Sequence, residues 1–80
     1  MMISENELLK LIKNSIKSKN KIDIKSNSNN TEGWDSLGQL SILTSLDKTL
    51  KGKTSKIASL ANADSVQKLV KILKSKKLLK

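Results

Sequence analysis

Trp34-Asp35-Ser36-Leu37-Gly38-Gln39-Leu40 is the point where the chain changes from a polar stretch to an amphipathic one. Asp35 has the properties of a helix N-cap: its carboxylate can accept from the free first-turn amides, and its charge suits the positive helix end. The spacing therefore predicts a helix opening at Asp35. Leu40, Ile42, Leu43, Leu46 and Leu50 form a broad apolar arc, with Ser41, Ser45 and Lys48 on the other side and Gly52 as C-cap. Ser36 then falls in the first turn, exposed, beside the positive end of the helix dipole. An anion bound or esterified there is favoured by both the amides and the dipole. A serine in this position also serves simply as part of a cap.

Upstream, Ser4 and Glu7 have the spacing of a capping box, and Ile3 and Leu8 that of its hydrophobic staple. Leu8, Leu9, Ile12 and Ile16 follow on one face, with Lys10, Lys13 and Lys17 opposite. Residues 19–34 form a long, Ser/Asn-rich loop, with Ile22 and Ile24 expected to pin its middle to the core. Loops longer than about 12–15 residues in small domains are usually functional or crossovers. Downstream, a short helix is expected from about Ser55 to Ala61. A last helix begins at Asp64 or Ser65, with Val66, Leu69, Val70 and Leu73 facing the core. The Lys-rich tail, about residues 75–80, is expected to fray. The fold class is thus all-α, a small four-helix bundle of three longer helices and one short, in a single domain over residues 1–80.

Composition narrows the chemistry. An 80-residue chain buries only about 60–65% of its unfolded surface, which favours binding or carrying over an enclosed catalytic pocket. There is no Cys and no His, so disulfides, thiolate metal sites and His-based catalysis are excluded. No metal site and no enzyme activity are expected. No apolar run approaches the length of a membrane span, and the spaced apolar residues near Glu5 and Glu7 do not read as a signal peptide. A cytoplasmic protein is expected. The net charge is +9, all its cations being lysine. Without arginine there is no bidentate fork for phosphate or guanine, and with Trp34 as the one aromatic there is no stacking platform. Binding of nucleic acid is therefore not expected, and a compositional origin of the lysines is the plain alternative.

The Asp35-Ser36-Leu37 tripeptide, set after a first helix and a long loop and followed by an amphipathic, a short and a final helix, resembles the attachment site of acyl and peptidyl carrier proteins. The resemblance covers about residues 4–74. It implies a covalent phosphopantetheine on Ser36, placed there by a phosphopantetheinyl transferase acting on coenzyme A. Acyl or aminoacyl groups would ride on its thiol between loading and using enzymes of a fatty-acid, polyketide, peptide or specialised biosynthetic pathway. By the same analogy Asp35 presents the serine to the transferase, and Leu37, Ser41, Thr44, Lys48 and Lys56 meet partner enzymes. Ile42 and Leu46 would border the space an acyl chain enters, and the carrier would be a monomer. Leu37 serves equally well as core packing, and Trp34 reads as a partly buried loop anchor.

One feature departs from the family. Carriers are usually acidic where partners read helix two, whereas here Asp47 stands with Lys48, and Lys51, Lys53 and Lys56 follow. Two other functions fit the composition: a Lys-rich helical module that binds nucleic acid or anionic membrane by charge, and an unmodified carrier-like adaptor. A charge binder has no need of Asp35-Ser36-Leu37.

Overall fold

The computed structural model describes residues 2–80, so of the expected 1–80 domain Met1 lies outside the described residues. The element order is α1 (Glu5–Ile16), α2 (Ser36–Thr49), a 3-10 helix (Ala58–Asn62) and α3 (Val66–Ser75). The protein is small and all-α. Among the described residues there are no strands, and extended pairing is limited to two isolated bridges.

α1 begins as its sequence dictates. Ser4 is the N-cap, its Oγ accepting from Glu7 N at 3.1 Å while Ser4 N donates to Glu7 Oε1 at 3.3 Å. Leu8, Ile12 and Ile16 are buried, and α1 packs directly on α2. Ile42, Leu46 and Leu50 of the α2 segment, Leu60 and Ala63 around the 3-10 helix, and Val66, Leu69 and Leu73 of α3 complete one core. Ser45, expected on the polar side of α2, instead faces α1 half-buried, where its hydroxyl accepts from Ser15 Oγ at 3.0 Å.

All three α-helices close in the same manner. A lysine with positive φ follows or nearly follows the last turn: Lys17 (53°), Lys51 (55°) and Lys77 (59°). The next amide reaches back five residues, Ser18 N to Lys13 O, Gly52 N to Asp47 O and Leu78 N to Leu73 O, at 3.0, 2.8 and 2.8 Å. Each is the Schellman closure, usually built on glycine. Gly52, expected as the C-cap, is the residue after the left-handed lysine and itself has φ 84°.

Further expectations are corrected. The short third helix starts later than Ser55 and is a 3-10 turn over Ala58–Asn62. Residues 51–56 are turns, held by buried Thr54, whose Oγ1 donates to Asp47 Oδ1 at 3.0 Å. The tail does not fray. Leu78 and Leu79 are buried, and Leu79 pairs with Ile3 through Ile3 N to Leu78 O (3.0 Å) and Lys80 N to Ile3 O (2.9 Å). The Lys77 turn redirects the chain, so the two leucines cover the start of α1 although they continue no helical period.

The 19–34 loop is ordered by its own polar side chains. Asn27 Oδ1 accepts from Asn29 N (2.8 Å) and Asn30 N (3.1 Å), and Asn30 Nδ2 donates to Lys25 O (3.0 Å). The loop also clasps the entry to α3, with Val66 N donating to Ser26 O and Ser28 N to Asp64 O at 3.0 and 2.9 Å. Ile22 is buried as expected, but Ile24 is exposed. The loop is pinned by one isoleucine and by Trp34.

Candidate functional site

Asp35 is the N-cap of α2, and its carboxylate accepts from Gly38 N at 2.9 Å. Its carbonyl accepts from Gln39 N at 2.7 Å. The amides of Ser36 and Leu37 are left to project at the helix end, beside the exposed Ser36 side chain. A 14-residue helix stands behind them, so the partial positive charge of a full dipole, about +0.5, sits at this serine.

What fixes the serine at the surface is a close crossing that the sequence did not reveal. Gly33 (φ 89°) lies against the end of α1, and a Cβ there would stand 2.8 Å from Ile16 O. Gly38 lies in turn against Gly33, and a Cβ at Gly38 would overlap the Gly33 carbonyl oxygen. The end of α1, the loop exit and the first turn of α2 are thus stacked with no room for side chains between them. Two glycines bracketing the Asp35-Ser36-Leu37 tripeptide were the available signal.

On the other flank Trp34 is 2% exposed, an anchor buried more deeply than expected. Its Nε1 donates to Gln39 Oε1 at 2.7 Å, and Gln39 Nε2 donates to Leu60 O and Ala63 O at 3.2 and 3.0 Å. Gln39 therefore ties the loop, α2 and the 3-10 helix together. It was missed because a glutamine in a helix carries no periodic signal.

Beside Ser36 lies an open depression of about 630 Å³, whose polar lining includes Ser28, Asp35, Gln39, Asn62 and Asp64. Lys68 Nζ is 2.9 Å from Asp64 Oδ1, and this lysine, by hydrogen bond and charge, holds the Asp64 carboxyl below its usual value of 3.8. Asp64 enters the site as an ion-paired carboxylate.

Leu37, Ser41, Thr44 and Lys48 are all exposed and form one stripe along α2, Leu37 being 77% exposed. Packing of Leu37 in this chain's core is thereby excluded. Leu40, expected in the apolar arc, is 61% exposed beside it. Lys56 lines a different depression, with Lys53, Lys76 and Lys77. Ile42 and Leu46 are fully buried; the space between α2 and the 3-10 helix, about 370 Å³, is bordered instead by Leu43, Thr44, Ile57 and Leu60. No helix among the described residues is long and apolar enough to cross a membrane. No protein family, curated protein or solved structure is matched by this chain.

Proposed function

We propose that the protein is a carrier that holds acyl or aminoacyl groups as thioesters on a phosphopantetheine arm attached to Ser36. The observation that carries this reading is the exposed Ser36 at the first position of a long, Asp-capped helix, open on one side to a polar depression. The residues suit such a group. The Ser36 and Leu37 amides and the helix dipole favour a phosphodiester at the hydroxyl. Ser28, Gln39 and Asn62 are neutral hydrogen-bonding neighbours for an amide-containing arm. Lys68 offsets the charge of Asp64, which lines the depression along with Asp35. The arm would supply the thiol that this cysteine-free chain lacks. The chain itself would be no enzyme: it would present the serine and then the cargo, with Asp35 fixing the first turn for the transferase.

The helical order also agrees with a four-helix carrier, the 3-10 turn Ala58–Asn62 standing where the short third helix would be. The stripe Leu37, Ser41, Thr44 and Lys48 is the face that loading and using enzymes would meet, of fatty-acid, polyketide, peptide or specialised biosynthesis. We place the carrier in the cytoplasm, as a monomer.

The test is incubation with coenzyme A and broad-specificity phosphopantetheinyl transferases, read by intact mass. One phosphopantetheine is expected, on Ser36, and Ser36→Ala is expected to abolish it. No mass gain with several transferases, or a gain at another residue, overturns the reading.

A further inference from the structure

The end of the molecule opposite Ser36 is built differently. The last residue of α1, Ile16, lies by Gly33 and Gly38, while Ile3 and Glu7 share a depression with Ser45 and Thr49, so α1 and α2 are antiparallel. The Ile3–Leu79 bridge brings the end of α3 to the start of α1. The C-terminal turns of α2 and α3 therefore share one end. From Ser36, the 14 residues of α2 span roughly 20 Å at about 1.5 Å per residue.

At this end Lys53 and Lys56, after α2, meet Lys76 and Lys77, after α3, around a depression of about 410 Å³ completed by Ile57 and Leu78. All four lysines are exposed, and no carboxylate is among the lining residues. The cluster joins two separate segments, so it is more than a run of charge in the sequence. Of the acids at this end, Asp47 accepts from Thr54, Glu7 accepts from Ser4 and Glu5 is exposed, and none of the three lines the depression. The ends of α2 and α3 contribute only about −0.5 charge each, which four ammonium groups outweigh.

We propose that this lysine face docks the protein on an anionic lipid bilayer, with Ser36 directed away from the surface. Three observations favour a lipid surface over a macromolecule. Lysine is a compact, hydrated point charge that acts at long range without demanding a fixed partner geometry. The face has no arginine, and Trp34 is the chain's single aromatic and lies at the other end. Protein interfaces are depleted in lysine and anchored by aromatics and arginine, and single strands need stacking platforms. A diffuse anionic surface needs only clustered lysines, and Met2, 44% exposed next to Ile3, adds an apolar contact at the same end.

The experiment is co-sedimentation of the full chain with vesicles containing about a quarter phosphatidylserine, against pure phosphatidylcholine, at roughly 0.1 M salt. Binding to the anionic vesicles alone is expected. Lys53→Glu with Lys76→Glu is expected to weaken it at least about tenfold, since each lysine near such a surface is worth about fivefold. Lys17→Glu with Lys21→Glu, of equal net charge at the opposite end, is expected to change it less than about threefold. Circular dichroism confirms that both variants fold. No binding to anionic vesicles, an equal loss in both variants, or tighter binding to duplex DNA than to vesicles overturns the proposal. The measurement is unaffected by whether Ser36 is modified.

Discussion

The two ends of this protein are held together by opposite means. Around Ser36, order comes from hydrogen bonds and close backbone contact: the Gln39 tie, the Asn27 and Asn30 turns, and the Gly33–Gly38 crossing. At the lysine end, burial contributes more: two leucines are folded under a charged surface, beside the Ile3 pairing and the Thr54–Asp47 bond. Hydrogen bonds add little net stability each but fix geometry, whereas buried leucines stabilise without directing anything. The end that positions a serine is built for geometry. The end that carries charge is built for cohesion.

The largest effect is expected from deleting residues 78–80. It removes two buried leucines and their bonds to Ile3. At about 1.5–3 kcal/mol per leucine the loss is roughly 3–6 kcal/mol, against a total of roughly 4–12 kcal/mol for a chain this size. A melting temperature lower by at least about 12 °C is expected. No change would mean that the tail is not part of the core and that the two ends do not differ in this way.

Gly38→Ala sharpens the comparison from the other side. Alanine is better than glycine in a helix by about 1 kcal/mol, so an open site would be stabilised. Here the new methyl meets the Gly33 carbonyl and lies 3.1 Å from Ile16 Cγ2. Backbone cannot yield as a flexible side chain can, and overpacking of about 1–3 kcal/mol should win. A net destabilisation of up to about 2 kcal/mol is expected by urea denaturation, together with slower modification of Ser36 by a transferase. A stabilised variant would show that the crossing is loose.

The smallest effect concerns Asp64. Its pKa is lowered in the folded protein by Lys68. The ion pair therefore contributes fully above the unfolded value and loses its contribution as pH falls through the lower folded one. Asp64→Asn should leave thermal stability near neutrality almost unchanged and flatten its decline below about pH 4. An equal acid slope in both proteins would assign the decline to other carboxylates.

Most helical starts were legible in the sequence because caps are local. Ser4, Asp35 and Ser65 each accept from an amide three residues on, at 3.1, 2.9 and 3.1 Å. The buried stripes of α1 and α3 were legible through their period. What was not legible depends on contacts distant in sequence. Leu78 and Leu79 looked like a tail because their partner, Ile3, is at the other end of the chain. Leu40 looked like core because period alone cannot show where the neighbouring helix stops. At the candidate site Ser36, Asp35 and Trp34 could be placed from local spacing, while the role of Gln39 required the 3-10 helix to be in position.

The Ile3–Leu79 pairing spans almost the entire chain. Closing so long a loop carries the largest entropic cost of any contact here, so it becomes favourable only after the helices have already brought its ends close. It should therefore be among the last contacts to form. Because it ties the start of α1 to the segment after α3, it closes most of the backbone into a loop. Local opening of either segment must first undo this clasp, and the serine at the far end is insulated from such opening.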